Sequence, residues 1–231
     1  MSTALAPRTN PLPSLPLLVN GEHMKQAEFH RRYEAYPEDF KIELIGGVVY
    51  MTSPLRWPHG NYHLILGTAF ALYTGETPGV EAGDNATAIL GEESEPQPDL
   101  SMRLLPEYGG QSRLNEEEYV EGAPELLAEI AHSTRAIALH QKRDDYQRAG
   151  VIEYVVLCIE EREFHWFHFP SGEMLKPNRR GVCRSRVFPG LWVDVPALLE
   201  RDTNRLIATV RRGLASREHT SFVRRLRASR R

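Results

Sequence analysis

The sequence predicts a mixed α/β domain of the α+β kind, with a central mixed β-sheet flanked by helices. Three observations carry this reading. Two near-continuous apolar runs, ELLAEIA at 125–131 and EYVVLCI at 153–159, read as strands buried on both faces. The segment between them, 136–149, reads as a helix that stops at Gly150, so strand, helix and strand form a crossover unit joining neighbouring strands. Upstream, KIELIGGVVYM sets two β-prone runs around Gly46-Gly47, a pair with the backbone freedom that a tight hairpin turn requires.

The other elements follow in chain order. Residues 1–22 read as an extended arm, weakly charged and carrying Pro7, Pro11, Pro13 and Pro16. Residues 26–36 place Phe29, Tyr33 and Tyr36 at helical spacings and end at Pro37, a short amphipathic helix. The hairpin strands cover 42–45 and 48–52. From His59 to Tyr73, the positions Leu64, Ile65, Thr68, Ala69 and Leu72 share a stripe that is expected to pack on the sheet. A turn at 83–85 divides β-prone pieces within 79–91, and Pro98 to Leu105 is a further strand. The stretch 106–122, rich in Gly, Gln, Asn and Glu, reads as a loop with a short helical turn. A strand over 163–169, irregular strands near 185–193 and a helix over 196–215 complete a main domain set at 23–210. No internal repeat is visible.

Composition narrows the class. The 231 residues are 41% hydrophobic and 26% charged, which excludes general disorder and suffices for a substantial core. No apolar run approaches the roughly 18 residues of a membrane span. Met1 to Asn20 lacks the basic start and continuous apolar core of a signal peptide, so a cytoplasmic protein is expected. Cys158 and Cys183 make neither a disulfide scaffold nor a zinc pair and read as small core residues. The net charge of −3 hides a division: residues 211–231 hold eight arginines against Glu218 alone, a tail of +7 that leaves −10 for residues 1–210.

The informative feature for chemistry is Glu129, an acid inside a strand that should be buried. A buried carboxylate costs several kcal/mol unless it finds a partner, and a metal ion is a partner that also brings chemistry. The alternative is a strand end facing solvent. Asp99 opens a strand after Pro98, and Glu43 sits between Ile42 and Leu44 in the first hairpin strand. Carboxylates converging from strands would make a hard oxygen site suited to Mg²⁺ or Mn²⁺. Lys142, thirteen residues beyond Glu129 on the next helix, either reaches the same place or is a solvated helix lysine.

Taken in order, ELIGGVVYMTSP, His59-Gly60, QPDL at 97–100, GAPELLAEIAHST at 122–134, Lys142 and YQRAGVIEYVVL at 146–157 resemble the Uma-two family of restriction endonucleases, within the PD-(D/E)XK nuclease superfamily. The resemblance covers roughly residues 25–170 and implies a restriction-endonuclease-like core with metal-dependent phosphodiesterase activity on DNA. It implies that Pro98-Asp99 is the PD element, that Glu129 is the second acid, and that Lys142 replaces the lysine missing at Ala131. Glu43 matches the family's hairpin acid. The implied metal site is Asp99 and Glu129 with the carbonyl of Ile130, holding Mg²⁺ or Mn²⁺, and a homodimer is compatible with this class. Relatives commonly carry an Asp where this chain has Ala138. That departure keeps open an inactive nuclease-fold module that binds DNA or protein, and a hydrolase of smaller phosphodiesters is a further alternative.

Other constellations are weaker. His59 and His63 stand one helical turn apart, as zinc ligands do, but no third ligand is evident, and His59 reads as a helix start near the active site. His132 reads as a loop histidine or a proton-transfer group. His165 and His168 point to opposite faces of their strand. Ser53 and Ser133 belong to no nucleophile motif. Arg224, Arg225 and Arg227, with Arg230 and Arg231, would bind nucleic-acid phosphates without sequence preference, or simply keep a tail soluble.

Overall fold

The computed structural model describes residues 15–230 apart from 38, 39, 53 and 133; the Ser53 and Ser133 readings, Arg231 and most of the proline arm lie outside the described residues. Gly46 and Gly47 take left-handed φ values of 57° and 77°, a conformation their missing Cβ atoms make cheap. The turn folds β1 (Ile42–Ile45) back on β2 (Val48–Met51), with Ile45 opposite Val48. Helix α1 (Gln26–Tyr33) covers the hairpin, and Phe29 and Leu18 pack with Ile42, Leu44 and Val49 in a small separate core.

Helix α2 (Trp57–Gly75) leads to β3 (Val80–Asp84), β4 (Ala88–Ile89) and β5 (Leu100–Leu104). Within the expected loop 106–122 lie a 3₁₀ turn at Pro106–Tyr108 and the short strands β6 (Arg113–Leu114) and β7 (Val120–Glu121), which join β4 in a small side sheet. Strand β8 (Leu126–Ala131) follows. A π-helical segment over Ile137–Lys142 then runs into α3 (Arg143–Ala149), and Gly150 ends that helix with φ 94°. Strands β9 (Glu153–Cys158), β10 (Glu163–His168) and β11 (Glu173–Met174) come next, followed by β12 (Val182–Arg184) and β13 (Trp192–Asp194). Helices α4 (Val195–Glu200), α5 (Thr203–Leu214) and α6 (Arg217–Ser229) close the chain.

The central sheet has the order β11-β10-β9-β8-β5-β3, with β8 and β9 parallel and the other neighbours antiparallel. It is therefore the expected mixed sheet, and the β8–α3–β9 crossover is its parallel unit. Alternation along β8 sends Leu126, Ala128 and Ile130 to the core under α2 and the C-terminal helices, and Leu127 and Ala131 to the core under α3. Glu129 shares the α3 face.

Several expectations need correction. Leu64 is 71% exposed, and α2 instead buries Tyr62, Ile65, Leu66, Ala69, Phe70 and Tyr73. Almost every position from Leu64 to Tyr73 is apolar or small, so spacing alone selects no face. The helix expected over 136–149 begins as a π-helix, and that expected over 196–215 breaks in two. Arg201 turns left-handed at φ 60°, and the Asp202 side chain accepts from Arg205 N–H, capping a new helix. The boundary at 210 thus falls inside α5. The arginine-rich end is helical, with Phe222 and Leu226 inserted in the main core. Cys158 and Cys183 are buried free thiols. No helix among the described residues is long and apolar enough to cross a membrane.

Candidate active site

Glu129 is buried, and its partners come from the helical segment that the crossover lays over its face of the sheet. Lys142 ends the π-helical stretch, a wide-turn geometry common at functional sites. Its Nζ donates to Glu129 Oε1 at 2.8 Å and to Glu43 Oε1 at 2.9 Å. Tyr146, one turn further on the same helix face, donates its hydroxyl to Glu129 Oε1 at 2.8 Å. Glu43 is held in turn by the backbone N–H of Gln97, at 2.8 Å. The hairpin reaches this position because Leu44 and Glu95 exchange backbone hydrogen bonds.

Asp99 lies one residue before β5. The N–H of Ile130 donates to its Oδ2 at 2.7 Å, and His59 Nε2 stands 3.2 Å from the same oxygen. Lys41 Nζ is 3.8 Å from Oδ1. Burial pushes the Asp99 carboxyl up, but the His59 contact, the Lys41 charge and the Ile130 N–H outweigh it and hold the pKa at about 2. Burial acts on Glu129 in the same direction, and here it wins: with Asp99 and Glu43 adding repulsion against the pull of Lys142, the group is raised. For Lys142, burial opposes the charge, yet the two carboxylates raise its pKa above the ordinary lysine value. It is an ammonium at neutral pH.

Asp99, Glu129, Glu43, Lys142 and Ile130 therefore line one cavity of about 520 Å³, shared with Lys41, Arg56, His59, His132 and Ala138. Among the described residues, Glu43 Oε2, Glu129 Oε2 and Asp99 Oδ1 receive no protein hydrogen bond. Each of the three carboxylates thus keeps one oxygen free of protein partners, and carboxylate oxygen is the donor type that Mg²⁺ and Mn²⁺ take, although the three do not draw within 4.8 Å of one another as a preformed cluster. Sequence reasoning overlooked Lys41, Gln97 and Tyr146. The four-residue spacing from Lys142 to Tyr146 was the one available signal; Gln97 acts through its backbone and carries none.

His132 also lines the cavity, with Nδ1 3.3 Å from Glu160 Oε1. The arginines lie elsewhere. Arg224, Arg225 and Arg227 are exposed on α6, whose His219 packs on Thr77 just beyond the C-terminal end of α2, whereas His59 is in the first turn of that helix. A helix of nineteen residues is about 28 Å long, so the arginines and the cavity are near opposite ends of α2.

The structure resembles that of a putative nuclease belonging to DUF820 from Anabaena variabilis ATCC 29413, with a TM-score of 0.58 and 14% identity over 74% of this chain and 96% of that one. No curated protein matches the chain. The family model described as "Uma2: Putative restriction endonuclease" matches residues 27–196, the span that contains the hairpin, the central strands and every side chain of the cavity, and the chain belongs to that family.

Proposed function

We propose that the protein is a metal-dependent endonuclease that hydrolyses phosphodiester bonds in DNA. The observation that carries this reading is the convergence of Asp99, Glu129, Glu43 and Lys142, from four separate segments of the chain, on one cavity. A structural ion pair alone would need neither a second carboxylate on Lys142 nor Asp99 in the same cavity. Asp99 and Glu129, with the carbonyl of Ile130, would hold Mg²⁺ or Mn²⁺. Such an ion, once bound, would lower the pKa of a water and offset charge on the scissile phosphate.

The chain's own groups do the rest. Asp99 stays ionised across the physiological range and is fixed in direction by the Ile130 N–H. Lys142 remains charged, so it orients the attacking water or offsets charge on the phosphate and does not serve as a base. Glu43 holds Lys142 and completes the acidic shell. Arg56 and Lys41 at the cavity, with the free N–H groups of the first turn of α2, provide a positive approach for a phosphate. The α6 arginines would add salt-dependent affinity away from the reacting bond.

Ala138, buried at the cavity wall, favours a second reading. Where relatives carry an Asp this chain has a methyl group, so a nuclease-fold module that binds DNA or protein without cutting is the alternative. Cleavage of supercoiled plasmid in Mg²⁺ and Mn²⁺ distinguishes the two. The nuclease reading expects nicking by the wild type that Asp99→Ala and Lys142→Ala abolish. Equal cleavage by all three proteins, or binding without metal-dependent cleavage by the wild type, refutes it.

A further inference from the structure

His59 and His63 are the one pair of histidines whose spacing suggested a metal and whose missing third ligand argued against it. The fold supplies that ligand. Strand β5 begins beside the first turn of α2, so one donor atom each from His59, His63 and Asp99 fall within 4.8 Å of one another. His59 Nε2 and Asp99 Oδ2 are 3.2 Å apart. Two ligands at about 2.0 Å from a metal and separated by that distance subtend about 106°, close to the tetrahedral angle.

A second observation is independent of the spacing. The His59 side chain is only 7% exposed, and its Nδ1 is buried without a hydrogen-bond partner among the described residues. His63 Nε2 is likewise buried and unpartnered. It stands 3.0 Å from Asp84 Oδ1, but the two are not oriented as donor and acceptor. Leaving buried imidazole nitrogens unmatched costs on the order of 1–3 kcal/mol each. A cation held by His63 Nε2 and His59 Nε2 would remove that cost at His63; one ring cannot give both nitrogens to the same ion, so His59 Nδ1 stays unmatched and the observation rests on His63. Asp84 ends β3 opposite Leu100, the neighbour of Asp99, and lies 3.0 Å from His63 Nε2 at the open side of the three-donor cluster.

We propose that His59, His63 and Asp99, with Asp84 alongside, form a binding site for a borderline transition-metal ion of the Zn²⁺ type, distinct from the carboxylate set of Glu43 and Glu129. Two imidazoles favour Zn²⁺, Co²⁺ or Ni²⁺ over Mg²⁺, which prefers an all-oxygen shell. Asp99 is the common residue of the two sets. The binding claim does not depend on nuclease activity, because the site is read by spectroscopy.

The test is a Co²⁺ titration of tag-free, chelator-treated full-length protein, followed by visible absorption. The wild type should bind one equivalent with the intense bands of a four-coordinate ion, displaced by Zn²⁺ and retained in excess Mg²⁺. His63→Gln should weaken that binding by at least about tenfold and lose the bands, in line with the penalty for disturbing metal ligation. Glu129→Gln, which alters only the carboxylate set, should keep them. Circular dichroism of each variant confirms folding, and Asp84→Asn provides a second, more exposed substitution that should weaken binding. A wild type without four-coordinate bands overturns the proposal. So does a His63→Gln titration equal to wild type, or loss of the bands in folded Glu129→Gln.

Discussion

The ammonium of Lys142 lies 2.8 Å from Glu129 Oε1, an ion pair buried between a helical segment and the centre of a sheet. Both side chains are less than a tenth exposed, and Glu43 closes the pair from the hairpin at 2.9 Å. Two acids share one base, so removing the base leaves two carboxylates facing each other without compensation.

Lys142→Met should therefore destabilise the fold by about 3–5 kcal/mol at neutral pH, the usual cost of stranding a buried charge. Without the ammonium, Glu129, already raised by burial, loses the one charge that pulls it down most and folds with its carboxyl further above the value in the unfolded chain. A raised acid favours folding below its folded pKa and loses that advantage as pH rises through it. The deficit measured by urea denaturation should be smaller at pH 5 than at pH 8. A deficit independent of pH would show that the carboxylates do not feel the lysine.

Asp99 gives the opposite sign. Its folded pKa of about 2 lies below the ordinary 3.8, so its contribution is complete above about 4 and is lost as pH falls toward 2. A shift of this size corresponds to about 2 kcal/mol. The stability advantage of wild type over Asp99→Asn should shrink by about that amount between pH 4 and pH 2. A constant difference would mean that His59, Lys41 and the Ile130 N–H do not act on the ionised form.

How much of this was readable depends on how local the cause is. ELLAEIA and EYVVLCI became β8 and β9 because long apolar runs have few other solutions, and Gly46-Gly47 fixed the hairpin through backbone freedom alone. The acids were visible as charged residues in apolar strands. The face of α2 was misread because its apolar residues surround the helix, and only the neighbouring sheet selects a side. The π-helical turn that delivers Lys142 has no residue signature. The α6 helix was missed because the arginine run was read by its net charge as a tail, although Phe222 and Leu226, four residues apart within it, mark an apolar stripe. Asp202, which caps α5, was also in plain view.

Glu153 is a buried acid at the start of β9 that sequence inspection passed over. Its carboxylate accepts from Ser185 Oγ, Trp166 Nε1 and the N–H groups of Arg186 and Val187, anchoring the turn before Phe188 to the sheet. Glu153→Gln replaces one accepting oxygen by an NH₂ that faces donors. The expected cost is about 2–3 kcal/mol, because a buried donor is left unmet. Thermal and urea melts should show it while metal binding is unchanged. A melt within error of wild type would mean that these contacts do not hold the turn.

The α6 arginines test whether affinity and chemistry are separable. Replacing Arg224, Arg225 and Arg227 with serine should weaken DNA binding and flatten its dependence on salt by up to about three units of slope if all three contact phosphates. Turnover at saturating DNA should remain within about twofold, since the cavity lies near the other end of α2. An unchanged salt slope would assign these arginines to solubility.

Metal removal follows from the charge of the cavity itself. Glu43, Asp99, Glu129 and Glu160 line it against Lys41, Arg56 and Lys142, and Lys142 is already committed to two of the acids. A phosphate entering without a cation would approach the free oxygens of those carboxylates. At an effective dielectric constant near 20, one such like-charge contact at 4 Å costs about 4 kcal/mol. DNA affinity, measured by fluorescence anisotropy at fixed ionic strength, should therefore rise at least about tenfold when Ca²⁺ replaces a chelator, a modest 1.4 kcal/mol beside that repulsion. Ca²⁺ is chosen because it fills oxygen sites, so binding can be followed apart from cleavage. Asp99→Asn removes one carboxylate charge and one ligand, so it should bind DNA more tightly than wild type in chelator and gain less from Ca²⁺. If wild type and Asp99→Asn respond equally, the cation acts on the DNA and the cavity does not hold it.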